Sequence, residues 1–225
     1  MSLSSAVVFC LRVRYGRVRA IVNALAFLSL CFLVPSVQAA QPQKLLILGD
    51  SLTAGYGLSK TDSFPHQLEV ALKKSGRDVE VINAGVSGDT TAGGLSRLDW
   101  ILKDAPDAVI VELGANDGLR GLDPKNSEAN LKAILDLLAA AETPVLLAGM
   151  LAPPNLGSRY GEAFNSMYKR LGSREGVVFY PFFLDGVAAV PELNQADGIH
   201  PNAQGVAVVV ERILPSVKKL LYIAR

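Results

Sequence analysis

Five short apolar runs, each followed by a longer segment of helical character, constrain this chain more than any other feature. Leu45–Leu48, Val79–Ile82, Ala108–Leu113, Val145–Ala148 and Val177–Tyr180 are rich in Val, Ile and Leu and lack in–out alternation. Such strands are buried on both faces, as strands inside a parallel sheet are. Helices are predicted between and after them. Ser63–Ser75 opens on a capping serine and stops at Gly76, whereas Thr91–Leu102 is weakened by Gly93-Gly94. Ser127–Ala141 places Leu131, Ile134, Leu135 and Leu138 at helical spacing. Arg159–Ser173 and Ala203–Leu221 complete the set, and Pro215 should kink or interrupt the last. Repeated strand–helix alternation predicts an α/β sandwich around a five-stranded parallel sheet. No repeat, low-complexity stretch or linker divides residues 40–225, so a single domain is expected there.

Residues 1–39 have a different composition. Arg12, Arg14, Arg17 and Arg19 precede an apolar run, Ile21 to Val34, and Val37-Gln38-Ala39 fits a small-x-small cleavage site. This is the layout of a secretory signal peptide. The 14 residues of the run fall short of a membrane span, which needs ~20. Removing this leader takes four arginines and no acids, leaving 18 Lys+Arg against 21 Asp+Glu, so the net charge of +1 becomes −3. It also takes Cys10 and Cys31, so the mature chain would have no disulfide, thiolate metal site or cysteine nucleophile. A periplasmic or secreted bacterial protein is expected. A mildly acidic chain without a basic run is a poor nucleic-acid binder. Two histidines far apart in sequence and no cysteine give no zinc set. No glycine loop matches a dinucleotide or P-loop pattern. No cofactor or metal is expected.

In a parallel α/β sheet the functional crevice lies beyond the carboxyl ends of the strands. Ser51 follows the first strand, Gly85–Gly88 the second, Gly114–Asp117 the third and Met150–Pro154 the fourth. A serine hydroxyl at a strand mouth becomes a nucleophile only with a base beside it; otherwise it caps a helix. Ser87, in Gly85-Val86-Ser87-Gly88-Asp89, is a second candidate, a near miss to the G-x-S-x-G elbow. The general base is His200 or His66. Asp197 stands three residues before His200, so one short turn can present both side chains and let the carboxylate fix the ring tautomer. The same box, Asp197-Gly198-Ile199-His200-Pro201-Asn202, also reads as a plain turn. His66 follows Pro65 in a first helical turn, where an exposed polar residue is ordinary. Acyl transfer further needs donors aimed at an oxyanion. The Ser51 and Gly88 backbone N–H groups and the Asn116 side chain can supply them, although Gly88 and Asn116 also read as loop residues.

Together these blocks resemble the GDSL or SGNH hydrolase superfamily, whose serine, glycine, asparagine and histidine correspond to Ser51, Gly88, Asn116 and His200. Leu46-Ile47-Leu48-Gly49-Asp50-Ser51-Leu52, Ser87-Gly88-Asp89-Thr90 and Asn116-Asp117-Gly118-Leu119-Arg120-Gly121 are similar to a bacterial periplasmic subgroup of thioesterases/lysophospholipases and arylesterases. The resemblance spans nearly all of the mature chain. It implies a flavodoxin-like three-layer α/β/α sandwich and cofactor-free cleavage of carboxylic esters or thioesters. It also implies a Ser51–Asp197–His200 triad with Ser51 rather than Ser87 as nucleophile, and an oxyanion hole of Ser51, Gly88 and Asn116. Met150–Gly157 would form part of the acyl pocket. The partner would be a small acyl ester or thioester, with transient contact to lipid substrates. The alternatives are a carbohydrate or cell-wall acetyl esterase on the same fold, and an exported non-catalytic binding protein.

Overall fold

The five apolar runs become strands β1 (Gln43–Gly49), β2 (Val79–Gly85), β3 (Ala108–Glu112), β4 (Val145–Ala148) and β5 (Val177–Tyr180). The structure, a computed structural model, describes residues 41–224; the expected leader lies outside them. All pairings are parallel, in the order β2-β1-β3-β4-β5. Leu45–Leu48 and Ala108–Val111 are fully buried, as expected of strands covered on both faces. Truncating one of them, as in Leu46→Ala, would cost about 2–5 kcal/mol in transfer free energy and cavity.

Helices cover both faces. They are α1 (Ser51–Ala54), α2 (Phe64–Lys74), α3 (Thr91–Ile101), α4 (Ala115–Leu119), α5 (Pro124–Ala140), α6 (Ser158–Gly172) and α7 (Ala203–Ile223). Helix α2 packs on α7, whereas α5 packs against both α3 and α6. This is the three-layer α/β/α sandwich that the resemblance implies. Helix α3 forms despite Gly93-Gly94 because Thr90 caps it, accepting from the Gly93 N–H at 3.2 Å. Helix α5 starts earlier than its apolar spacing suggests, at Pro124, because the Asp123 carboxylate caps it. Helix α7 runs uninterrupted through Pro215, contrary to expectation. Pro215 and Glu211, whose carbonyl loses its bond, are both exposed, so water can take the missing partner's place.

The sheet order places the functional end. From β1 the chain moves to β2 on one side and then returns to β3 on the other. The crevice at that reversal, above the ends of β1 and β3, is where ligands bind in such sheets. Both β1 and β2 end in glycine for a steric reason. A Cβ on Gly49 would sit 2.0 Å from Thr53 Oγ1, and one on Gly85 would sit 2.3 Å from the Ala54 nitrogen. The two glycines let α1 lie directly across the strand ends.

Candidate active site

Helix α1 begins at Ser51 and is capped by Asp50, whose Oδ1 accepts from the Leu52 N–H at 3.0 Å. The cap fixes the turn that lifts Ser51 off the end of β1 and leaves its side chain facing the crevice. His200 arrives from the loop before α7. Its Nε2 lies 2.9 Å from Ser51 Oγ, and its Nδ1 lies 2.7 Å from Asp197 Oδ2. The other Asp197 oxygen accepts from the backbone N–H groups of Ile199 and His200, each at 3.0 Å. Those bonds, the His200 N–H first, hold the Asp197 carboxyl down to about 2. The turn is stapled to its surroundings. Gln195 N–H donates to the His200 carbonyl at 2.7 Å, and Gln195 Nε2 donates to the Tyr56 carbonyl at 2.8 Å. The Tyr56 ring stacks, tilted, against the imidazole with centroids 4.6 Å apart.

Asn116 sits in the first turn of α4. Its Nδ2 donates to Asp50 Oδ2 at 3.1 Å and to the Asp89 carbonyl at 2.9 Å, so both amide hydrogens are engaged. Gly88 has φ +82, a conformation that favours glycine, and its carbonyl accepts from Arg120 Nη2 at 2.8 Å. Ser51, Gly88, Asn116 and His200 all line one cavity of about 620 Å³. The rest of its lining is mostly apolar and includes Leu119, Met150, Leu151, Pro154, Phe182 and Leu184. Ser87 lines the same cavity, but the imidazole pairs with Ser51. His66 lies on α2 and is not part of the lining. Among the described residues no group of His, Cys, Asp and Glu is arranged to hold a metal ion.

Beneath Ser51 lie two carboxyls that the sequence reading did not assign a role. Asp50 and Glu112 are both fully buried. Glu112 Oε2 accepts from Thr53 Oγ1 at 2.7 Å, and its Oε1 has no partner among the described residues. Burial, and then the charge of Asp50, push the Glu112 carboxyl well above the usual carboxylate range. Asp50 is pushed up to about 6 by burial, opposed by its bonds from Leu52 and Asn116. Burial thus holds Glu112 towards its neutral form, while Asp50 keeps two donors, Leu52 N–H and Asn116 Nδ2, that favour its charge. A signal was available for Glu112: it is the one acid inside the run Ala108–Leu113, and acids are rarely buried without a partner.

The sequence matches the GDSL-like lipase/acylhydrolase family over residues 47–208. The chain belongs to this family. It is 42% identical over 190 residues to esterase TesA of Pseudomonas aeruginosa, covering 84% of this chain and 94% of that protein. It is 40% identical over 198 residues to thioesterase 1/protease 1/lysophospholipase L1 of Escherichia coli K12, covering 88% and 93%. Among solved structures, the psychrotrophic esterase EstA from Pseudoalteromonas sp., inhibited by monoethylphosphonate, superposes with a TM-score of 0.75. That pair is 35% identical, with 80% of this chain and 99% of EstA covered. Like these relatives, the chain is an enzyme of the esterase type.

Proposed function

We propose that this GDSL esterase cleaves carboxylic esters and thioesters through an acyl-enzyme on Ser51. The observation that carries the reading is the hydrogen-bonded line Asp197–His200–Ser51, opening onto an apolar cavity. His200 Nε2 takes the hydroxyl proton as Ser51 Oγ bonds to the carbonyl carbon, and the carbonyl electron pair moves onto oxygen. The oxyanion is held by the Ser51 and Gly88 N–H groups and by Asn116 Nδ2, which shares with it the hydrogen it otherwise gives to Asp50. The intermediate collapses and expels an alcohol or thiol, which leaves with the proton from His200. Water then repeats the cycle on the acyl-enzyme. Ionised Asp197 holds Nδ1–H and keeps Nε2 free to accept.

Aryl esters, acyl thioesters and lysophospholipids are the substrate classes of this reading, because most of the cavity lining is apolar. TesA and the Escherichia coli protein are named for esterase, thioesterase and lysophospholipase activities. The leader expected over residues 1–39 would direct the enzyme to the periplasm or medium. The test is covalent labelling. A fluorophosphonate should add to Ser51 in the wild type, seen by peptide mass spectrometry, and not to the Ser51→Ala variant. The variant should also lose p-nitrophenyl ester hydrolysis. A wild-type adduct on Ser87, or an active Ser51→Ala enzyme, would sink the assignment.

A further inference from the structure

Arg97 lies on α3 outside the cavity lining, yet its guanidinium grips the chain beside both proposed backbone donors of the oxyanion hole. Nη2 donates to the Gly49 carbonyl at 3.1 Å, two residues before Ser51. Nη1 donates to the Ala84 carbonyl of β2 at 2.7 Å. Nε donates to Asp89 Oδ2 at 2.8 Å, one residue after Gly88. The carbonyl of the same Asp89 accepts from Asn116 Nδ2. One planar cation thus ties the ends of β1 and β2 to the loop that carries Gly88 and steadies Asn116. Gly93 explains how α3 comes close enough: a Cβ there would sit 1.7 Å from Asp89 Oδ1. The two glycines that weaken α3 as a sequence helix therefore include one required by this contact.

We propose that Arg97 is a positioning residue of the oxyanion hole, its three-way fork setting the Ser51, Gly88 and Asn116 donors relative to one another. The inference rests on the oxyanion-hole reading above. Three considerations separate it from a fold-stabilising strut. The Arg97 and Asp89 side chains are only 20% and 12% exposed, and such ion pairs add little net stability against an apolar replacement. Each of the three bonds leaves in a different direction, so the group defines geometry in a way a lysine's point charge cannot. The donors it fixes must meet a charge that exists only in the transition state, where a misplacement of about 1 Å can cost about 100-fold.

The experiment compares Arg97→Lys, Asp89→Asn and Asn116→Ala, singly and with Arg97→Lys added to Asn116→Ala. Arg97→Lys should lower kcat for a p-nitrophenyl ester by about 10- to 100-fold with KM within about twofold. The Ki of an acyl trifluoromethyl ketone, which forms the tetrahedral adduct, should rise by the same factor. On the Asn116→Ala background the Arg97→Lys effect should shrink but not vanish, because the Ser51 and Gly88 donors still depend on the fork. Asp89→Asn, close to isosteric, tests the same fork if the lysine variant folds poorly, and should slow kcat in the same pattern. Variants with a lowered Tm but wild-type kcat at 25 °C would overturn the inference and leave Arg97 a strut. So would an undiminished Arg97→Lys effect on the Asn116→Ala background. A fully active Asn116→Ala enzyme would instead overturn the oxyanion reading itself.

Discussion

Ser51 stands between two aspartates that the fold treats in opposite ways. Asp197 sits on a loop, 35% exposed, and receives two backbone N–H groups and an imidazole. Its carboxyl is held down to about 2. Asp50 sits at the end of a buried strand with no exposure, over Glu112, whose carboxyl burial pushes well up, and is itself pushed up to about 6. One residue type therefore serves as a fixed charge on one side of the nucleophile and as a titratable group on the other. Donors decide the first case and desolvation the second. The wet side can orient an imidazole that must change charge during turnover. The dry side holds Asn116 and the α1 turn still.

The largest expected difference between the two sides is in turnover. His200→Ala removes the base hydrogen-bonded to Ser51 and should lower kcat by at least about 10⁴-fold. His66→Ala should stay within about twofold, because His66 lies outside the cavity. A dead His66 variant beside an active His200 variant in a p-nitrophenyl ester assay would reverse the assignment of the base.

Asp197→Asn comes next. The amide can still accept from the Ile199 and His200 N–H groups, so the turn should survive. Its NH₂ would face Nδ1, however, and force the proton onto Nε2, where it blocks transfer from Ser51. With this side chain 35% exposed, water can partly replace the lost carboxylate, so a fall in kcat of about 10²- to 10³-fold is expected rather than the larger loss of a buried triad acid. A variant within about threefold of wild type would show that Asp197 does not orient the ring.

Much of this could be read from the residues, and the exceptions share a cause. Strand β4 has the bounds its apolar run predicts, because a run buried on both faces is marked at every position; β5 keeps its bounds as well, although at the sheet edge only Val178 is buried. The Asp197–His200 box is visible because its spacing lies within one turn. Asp50, Glu112, Asp89, Arg97 and Gln195 were not assigned roles, since each acts through a partner remote in sequence: Glu112 lies 59 residues from Thr53, and Gln195 lies 139 from Tyr56. Pro215 misled because local propensity says nothing of which helix face meets water.

The smallest expected effect is in stability, and it isolates the dry side. Asp50 binds its proton more tightly folded than unfolded, with a folded value of about 6 against an ordinary 3.8. Its contribution to stability is then full below about pH 4, fades as pH rises, and is lost above about pH 6. The swing amounts to about 3 kcal/mol. Asp197 has the opposite sign. Its contribution is present above 3.8 and is lost only as pH falls towards 2, so the two windows do not overlap. Asp50→Asn abolishes the first window and leaves the second. The Tm of the variant minus that of the wild type should therefore rise by roughly 6–12 °C between pH 4 and pH 7. Below pH 4 the difference should be flat, because both proteins retain Asp197. A difference that stays constant from pH 4 to 7 in scanning calorimetry would mean that Asp50 is charged at ordinary cost, and that the buried floor under Ser51 is wetter than its packing implies.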